Sequence, residues 1–342
     1  MIAGKPNFKK EMIRYEQSNL LSSIRQMLNS IIPFFALWYA AYLCMSISYW
    51  ITVLLSMAAS GFVIRIFIIF HDCCHQSFFK NRSANHILGT VTGILTFFSY
   101  SKWRHNHSIH HATSSNLDKR GTGDVWILTV EEYVAASVWR RMVYRLYRNP
   151  LIMFGIGPVY MLLIQNRMNR RNARRKERFN TYLTNIAIAV LAAWLCWGIG
   201  WQAFLLIQGT ILFVSGAAGI WLFYVQHQFE DSYFEPEADW DYVKAAVEGS
   251  SYYKLPKILQ WLTGNIGYHH IHHLSPRIPN YKLEQAHDLS PALHKVSTIS
   301  IVSSLKSIRF RLWDEQNKRF VGFRDIKHLL VYAKYGVRII YE

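Results

Sequence analysis

Two long uncharged stretches dominate the pattern of hydrophobic and polar positions along the chain. Residues 26–64 and residues 179–226 contain no Asp, Glu, Lys, Arg or His over 39 and 48 positions, respectively. A bilayer core about 30 Å thick requires about 20 residues of α-helix, so each stretch is long enough for a hairpin of two spanning helices. Buried core helices of a soluble protein are the alternative, but they rarely stay uncharged over this length. The pattern predicts an all-α integral membrane protein with four transmembrane helices.

Two shorter uncharged segments are predicted to lie in or on the membrane without crossing it. Residues 87–101 form a run of 15 positions, and residues 149–166 are broken by two glycines and Pro158. Both are too short or too interrupted for a full span. Arg65 falls near the end of the second predicted span and is expected to extend toward the lipid headgroups.

The distribution of basic residues predicts the orientation in the cell membrane. Every Lys and Arg lies before residue 26, between residues 65 and 178, or after residue 229, and the charged N-terminus does not resemble a cleavable signal peptide. The positive-inside rule then places both termini, the middle region and a helical cap that carries the histidines on the cytoplasmic side. The single domain, 1–342, is divided into an interfacial segment (1–30), a first hairpin (31–70), a middle cytoplasmic region (71–178), a second hairpin (179–226) and a C-terminal cytoplasmic region (227–342).

A dense basic run precedes the third predicted span. Seven of the twelve residues from Arg167 to Arg178 are Lys or Arg. A topology anchor is a sufficient explanation, and attraction to anionic lipids or an acidic partner is the alternative. Nucleic acid is not favoured as a partner, because the basic stretches border membrane spans.

Nine histidines fall into four groups along the sequence. They are His71 and His75; His107, His110 and His111; His227; and His269, His272 and His273. Spacings of three or four residues place the imidazoles of each group on one side of a helix. Imidazole in this number, without a Cys-x2-Cys pair, favours a metal such as iron or zinc. Nine ligands are too many for one ion and suit two, and all four groups can meet at the inner face of the membrane.

The residues leave the choice of metal open. Zinc normally needs only three protein ligands and a water, whereas iron with open positions supports oxygen activation. A two-metal site beneath an apolar pocket fits attack on an unactivated hydrocarbon chain. The remaining histidines are expected outside the ligand set, two of them because they are out of helical phase: His105, His270, His86, His287, His294 and His328.

Anionic side chains are expected beside the imidazoles. Neutral rings leave the charge of the ions uncompensated, and a carboxylate that accepts the other ring N–H orients the ligand. The candidates by proximity are Asp72, Asp118, Asp124, Glu230 and Asp231. Asp72 and Glu230 are preferred, and Asn265 is a candidate to hold a metal-bound water.

The motifs resemble those of the membrane-bound fatty acid desaturases, a family with three histidine boxes. HDCCH (71–75), HSIHH (107–111) and HHIHH (269–273) match the boxes, and His227 in VQHQFED matches an additional ligand histidine. The stretches IFIIFHDCCHQSFF, HATSSNLDKRGTGD and GNIGYHHIHHLSP look like acyl-lipid desaturases of Bacillus with delta-5 activity on membrane phospholipids. The likeness runs through nearly the whole chain.

The resemblance implies a non-haem diiron centre held by the nine histidines, with no catalytic side chain beyond the metal ligands. In the family, dioxygen and two electrons serve to remove one hydrogen from each of two neighbouring methylenes, which leaves a cis double bond. The sequence shows no dinucleotide-binding fingerprint, so an external electron donor is expected. Ferredoxin or flavodoxin serves related bacterial enzymes, and a basic surface would attract such acidic proteins.

Two other functions remain open from the residues. A diiron hydroxylase of alkyl chains, carotenoids or lipids has similar histidine boxes. A membrane metal transporter or sensor belongs to another class, but its ionisable ligands should lie within the spans rather than at their ends. The double-bond position, the acyl carrier, the identity of the donor and the oligomeric state are not determined by the residues alone.

Overall fold

A computed structural model describes residues 11–334 of the chain. The outermost parts of the expected N- and C-terminal segments, residues 1–10 and 335–342, lie outside the described residues. The helices are α1 (Leu20–Leu43), α2 (Tyr49–His75), α3 (Arg82–Leu95), α4 (Tyr100–Thr113), α5 (Val130–Ala135), α6 (Val138–Tyr147), α7 (Gly157–Leu163), α8 (Arg175–Ile199), α9 (Trp201–His227), α10 (Tyr242–Val247), α11 (Lys257–Leu262), α12 (His269–Leu274), α13 (Leu283–Asp288), α14 (Ile301–Ser304) and α15 (Lys327–Lys334). Four short strands form two small sheets: β1 (Tyr252–Tyr253) pairs with β2 (Thr298–Ile299) in parallel, and β3 (Leu312–Asp314) pairs with β4 (Arg319–Val321) antiparallel.

Four helices among the described residues are long and apolar enough to cross a membrane, which agrees with the two predicted hairpins. They cover Leu20–Ser46, Tyr49–His75, Arg175–Ile199 and Trp201–His227. Each hairpin extends beyond its uncharged stretch, since polar end residues can reach the headgroup region while the helix continues. The groups that begin at His71 and His227 therefore lie on the last turns of α2 and α9, not in the loops that follow.

Helices α1, α2 and α9 pack together in the centre of the bundle. Their shared core contains Ala41 and Ala59, both fully buried, and small residues of this kind let helix backbones approach closely in a membrane. The indole N–H of Trp38 donates to Oε1 of Gln208 at 3.1 Å, which links α1 to α9 within the apolar layer. This packing aligns the C-terminal ends of α2 and α9.

Arg65 does not extend toward the headgroups as expected. Only 7% of its surface is exposed, and its guanidinium lies 3.9 Å from the centre of the Trp261 ring. Nη1 of the same guanidinium donates to the carbonyl oxygen of Trp261. The buried charge is instead satisfied by α11, and this contact links α11 to α2.

The two shorter uncharged segments form helices that pack beside the spans. Residues 87–101 cover the end of α3 and the start of α4, which meet at a turn with Phe97 at φ +64°. A Cβ on Gly89 would lie 2.3 Å from the ring of Tyr100, so α3 can pack against α4 only with glycine there. Residues 149–166 contain a π-helical turn, Ile152–Ile156, followed by α7.

The remaining elements form a cap over the C-terminal ends of α2 and α9. Its core includes the fully buried Tyr133 and Tyr144, which pack with residues of the β3–β4 sheet. Arg148 is also fully buried and donates to Gln228 just after α9 and to the Phe310 carbonyl of the cap. These contacts hold the end of α9 in place relative to the cap.

Candidate metal centre

The structure brings all nine predicted ligand histidines together between the bundle and the cap. They separate into two sets. Within each set, one ring nitrogen from every residue lies within 4.8 Å of those of the others. The five-histidine group contains His71, His75, His107, His111 and His272, and the four-histidine group contains His110, His227, His269 and His273. Each group has the size and the ligand type of a transition-metal site.

Helix geometry explains why single sequence motifs serve both groups. In α4, His107 and His111 are four residues apart and lie on the same face, whereas His110 is one residue, about 100° of helix, from His111. In α12, His269 and His273 share a face and His272 points to the other group. Helices α4 and α12 therefore each contribute histidines to both groups.

Ring nitrogens in the five-histidine group converge more closely than hydrogen bonding explains. Nε2 of His107 lies 3.1 Å from Nε2 of His71 and 3.0 Å from Nε2 of His111, and the latter atom is 2.9 Å from Nε2 of His272. One ring nitrogen offers a single hydrogen or a single lone pair, so it cannot bond two such neighbours at once. Two nitrogens that bind one ion at about 2.1 Å and at right angles are separated by about 3.0 Å. The arrangement fits an ion at the centre of the group.

The four-histidine group has the same character. Nε2 of His269 lies 3.0 Å from Nε2 of His227 and 3.1 Å from Nε2 of His273. Nε2 of His110 is buried and makes no hydrogen bond, and the same is true of Nε2 of His75 in the neighbouring group. Buried nitrogens normally find a partner, so these two atoms are also consistent with metal ligation.

Burial favours the neutral form of five of the ligand imidazoles. Among the histidines outside the membrane-spanning helices, the pKa of His107, His111, His269, His272 and His273 is held well below its usual value, first by desolvation and then by repulsion from neighbouring imidazoles. A neutral imidazole has a free lone pair on one nitrogen, which is the form that binds a metal. These five rings can therefore bind cations at neutral pH without first losing a proton.

Oxygen acceptors orient three of the rings through Nδ1. Nδ1 of His71 lies 3.2 Å from Oδ1 of Asp72, and Nδ1 of His227 lies 3.1 Å from the carbonyl oxygen of Gly249. Nδ1 of His110 is 2.5 Å from Oδ1 of Asp124. With a hydrogen on Nδ1, each ring presents the Nε2 lone pair to its group.

Asp72, one of the two preferred carboxylates, is held by residues that the sequence reasoning missed. Its Oδ2 accepts hydrogen bonds from the backbone N–H of Asn280 at 2.7 Å and from Nδ2 of Asn280 at 2.8 Å. Asn280 in turn exchanges two hydrogen bonds of 3.1 Å with the amide of Gln26 on α1. No spacing or motif links Gln26 and Asn280, which are 254 positions apart, so only the tertiary structure reveals this network.

Glu230, the other preferred carboxylate, lies outside the site, which corrects the expectation. It is exposed on the surface, where its Oε2 lies 3.1 Å from Nζ of Lys306. The chain turns away from the imidazoles directly after α9, so proximity in sequence to His227 does not bring Glu230 to them. Asp124 instead supplies the second carboxylate: Gly123, at φ +79° and with a virtual Cβ 3.1 Å from Cβ of His110, allows the loop to approach α4.

The other polar candidates occupy different places. Asn265 has φ +58°, and its side chain donates to the carbonyl of Asn280 and accepts from Gln260. Asp118 accepts a hydrogen bond from the backbone of Glu237, and Asp231 is exposed. Asn265 is therefore linked to the Asp72 network through Asn280, and its proposed contact with a metal-bound water stays a prediction.

The histidines expected outside the ligand set do not belong to either group. His270 is fully buried rather than solvated, and its Nε2 lies 3.1 Å from Nδ1 of His287. Burial and His287 lower the pKa of His270 to about 3. His105 is half-buried, and His86, His294 and His328 are exposed.

An aromatic wall borders the five-histidine group on the side of α2 and α4. The Trp103 ring stacks on His107 with 4.1 Å between centroids. Phe67 and Phe70 lie 5.5 Å and 5.1 Å from Trp103. The imidazoles thus face apolar side chains, which suit a hydrocarbon ligand and exclude water.

Comparison with known proteins agrees with this site. The family described as fatty acid desaturase matches residues 46–300. A Bacillus subtilis protein described as a fatty acid desaturase is 63% identical over 322 residues, which cover 94% of this chain and 92% of that protein.

More distant relatives act on acyl lipids according to their names. An sn-1 oleoyl-lipid 12-desaturase of Synechocystis sp. is 28% identical over 65% of this chain and 63% of that protein. An sn-1 acyl-lipid omega-3 desaturase (ferredoxin) of the same organism is 28% identical over 65% of this chain and 62% of that protein. The matched part thus spans less than two thirds of both relatives. Together with the match along most of the sequence, these likenesses show that the chain belongs to the fatty acid desaturase family, enzymes that introduce double bonds into acyl chains.

Proposed function

We propose that the chain is an O2-dependent acyl-lipid desaturase whose nine clustered histidines bind two iron ions. It introduces a cis double bond, at the delta-5 position, into saturated acyl chains of membrane phospholipids. The observation that carries the proposal is the division of the nine histidines into two adjacent groups of buried, convergent nitrogens. A hydrolytic zinc site would need only three such ligands.

The protein residues hold and orient the metal ions. The five-histidine group would hold one ion and the four-histidine group the other. Asp72 and Asp124 would orient His71 and His110 and offset part of the cationic charge. When bound, the ion pair supplies the oxidising chemistry with dioxygen that removes hydrogen from an unactivated methylene.

The aromatic wall would position the acyl chain. A methylene C–H bond has no acidic or basic group, so catalysis depends on holding one carbon–carbon pair in a fixed geometry. Trp103 stacks on a ligand ring and is packed against Phe67 and Phe70. Side chains held in this way restrict the positions that a flexible chain can adopt, which supports the formation of a single isomer.

The proposed setting is the cell membrane, with both termini, the cap and the histidine site on the cytoplasmic side. The segment boundaries 1–30, 31–70, 71–178, 179–226 and 227–342 remain part of this proposal. The absence of Lys and Arg from the opposite ends of both hairpins supports the orientation. The proposed donor is a ferredoxin or a flavodoxin: the net charge of +17 favours an acidic protein, and one relative is named as ferredoxin-dependent.

The delta-5 position is supported by the likeness of the histidine-box stretches to Bacillus acyl-lipid desaturases. Expression in a bacterial host without unsaturated fatty acids, followed by mass spectrometry of the lipids, tests the activity and the position together. The expected product has lost two hydrogens and carries the double bond at carbon 5 of a phospholipid acyl chain. The His272→Ala variant serves as the inactive control.

Other products would contradict the proposal in distinct ways. A gain of one oxygen would identify a hydroxylase, and a double bond elsewhere would overturn only the position. Accumulation of metal in the cells without a change in their lipids would favour the transporter or sensor.

A further inference from the structure

Three cations, one buried (Lys102) and two half-buried (Arg167 and Arg170), lie beside the aromatic wall, with a single carboxylate among them in the described part of the chain. Lys102 on α4 directly precedes Trp103, and its Nζ donates to the carbonyl of Met168 at 2.7 Å. Arg167 donates from Nη1 to Oδ1 of Asn185 at 2.9 Å. Nε of Arg170 lies 3.3 Å from a carboxylate oxygen of the buried Glu177. We call Lys102, Arg167 and Arg170 the cation cluster.

The cluster carries more positive charge than its surroundings balance. The charged groups that act on Lys102 are Arg167 and Arg170, which are cations, and Glu177, which is an anion. Burial, followed by repulsion from Arg167, lowers the pKa of Lys102, and burial alone lowers the pKa of Arg167 to about 10. A bound anion would offset both the desolvation of these cations and their mutual repulsion.

Unused hydrogen-bonding atoms occur in the same segment. Nδ2 of Asn166 and Nε of Arg167 are buried donors without a partner, and Oδ1 of Asn169 is a buried acceptor without one. Asn166 is only 9% exposed. Buried donors are almost always paired in folded proteins, so two of them beside an excess of cations indicate a missing acceptor. A phosphate group has both the charge and the acceptor oxygens.

The position of the cluster points to a ligand that arrives through the membrane. Apolar side chains around the segment are exposed, with Ile164 48%, Met168 62% and Phe179 69% accessible, and they lie next to the third membrane span. Large exposed apolar groups in this setting face lipid. Soluble acyl carriers would have to cross that lipid-facing surface, whereas a membrane phospholipid already lies against it.

We propose that the cation cluster and Asn166 bind the phosphate of the phospholipid whose acyl chain is desaturated. This inference rests on the proposed function. Carbon 5 is only a few bonds from the ester of the lipid, so the phosphate must be held close to the metal centre. Lys102 and the ligand His107 are five residues apart on α4, about 7.5 Å along the helix axis and about 140° around it. The cluster therefore begins within two turns of α4 from a metal ligand, and the residue next to Lys102, Trp103, stacks on that ligand.

Two variants separate charge from hydrogen bonding. Lys102→Gln removes the charge but keeps an amide donor for the carbonyls that Lys102 contacts. Asn166→Leu removes a donor that has no protein partner, so the thermal midpoint should not fall. Lys254→Gln is the matched control, because it removes an exposed lysine of the cap.

Binding is measured on the metal-free protein in detergent, by calorimetry with a soluble short-chain phosphatidylglycerol. Both variants should raise the dissociation constant about tenfold, and the control should leave it within about twofold of the wild type. Short-chain diacylglycerol, which lacks phosphate, should bind weakly to all proteins, and inorganic phosphate alone should not compete well without the acyl chains. Equal affinity for the two lipids, or unchanged affinity in both variants, would overturn the phosphate site.

Steady-state kinetics of the iron-loaded protein then test the link to the substrate. Both variants should raise KM for phospholipid with kcat within about twofold, since the phosphate contacts are remote from the reacting carbons. Weaker lipid binding with an unchanged KM would show a structural lipid and overturn the substrate assignment. Because the binding measurement needs no metal, it can succeed even if the proposed desaturation fails.

Discussion

Nε2 of His111 and Nε2 of His272 lie 2.9 Å apart, although 161 positions separate the two residues in sequence. Their contact joins the second histidine box to the third within the five-histidine group. His110, the direct neighbour of His111, belongs to the other group. Each of the two later boxes therefore contributes to both candidate metal sites, so neither site can form without them.

Each single ligand substitution should empty the metal site to which that ligand belongs and leave the other site filled. We expect His110→Ala to lose the ion of the four-histidine group and His272→Ala the ion of the five-histidine group, with desaturation abolished in both. Iron per protein, measured by elemental analysis, should fall from about two to about one. His105→Ala is the control, because this half-buried ring is in neither group. Equal loss of iron and activity in all three variants would contradict the assignment.

The carboxylate beside His110 should tune metal affinity. Asp124→Asn keeps the shape of the side chain but weakens the acceptor for Nδ1 of His110. We expect about a 10- to 100-fold loss of iron affinity in the four-histidine group, as is typical for such partners of ligand histidines. Titration of the metal-free protein with Fe(II) measures it. Glu230→Gln should leave the iron affinity unchanged, since Glu230 is exposed. A larger loss of iron affinity in Glu230→Gln than in Asp124→Asn would contradict this assignment and favour Glu230 as the supporting carboxylate.

The Gln26–Asn280–Asp72 network should support the five-histidine group. Asn280→Ala removes the side-chain donor to Oδ2 of Asp72 and leaves the amide of Gln26 unpaired. We expect iron affinity in this group to fall about tenfold. Asn85→Ala is matched as a control, because Asn85 is a fully buried amide that binds only the backbone of Phe79 and Asn81. Both variants should lower the thermal midpoint, but only Asn280→Ala should alter metal binding.

The metal-free protein should become less stable as the pH falls below about 6.5. Buried histidines such as His111 and His272 have a strongly lowered pKa in the folded chain, whereas an unfolded histidine titrates near its ordinary value of about 6.5. Below that value the unfolded chain binds protons that the folded chain does not, so the free energy of unfolding decreases with decreasing pH. Each such residue contributes at most about 1.4 kcal/mol per pH unit.

Thermal midpoints between pH 7.5 and pH 5 measure this effect. The fall of the thermal midpoint with decreasing pH should be shallower in His272→Asn than in the wild type, because this variant lacks one of the titrating groups. In His105→Asn the fall should equal that of the wild type. A midpoint that is constant over this range would show that the site is not desolvated without metal.

Much of the architecture was accessible from sequence because it depends on local composition. A long uncharged stretch favours the bilayer core because of its own composition, so both hairpins could be predicted from residues 26–64 and 179–226. Arg65 was misjudged because its acceptor belongs to Trp261, almost 200 positions away. A buried charge finds its partner by tertiary packing, and no local pattern specifies it.

The sequence by itself determined that nine imidazoles fall into four groups, two of which follow apolar spans, because spacing and hydropathy are properties of neighbouring residues. Only the tertiary structure decided which ring serves which metal group and which carboxylates support them. Helix rotation sends His110 and His111 to different groups, while the path of the chain after α9 removes Glu230 and a glycine turn delivers Asp124. These choices depend on distances between segments far apart in sequence, which packing fixes and spacing does not.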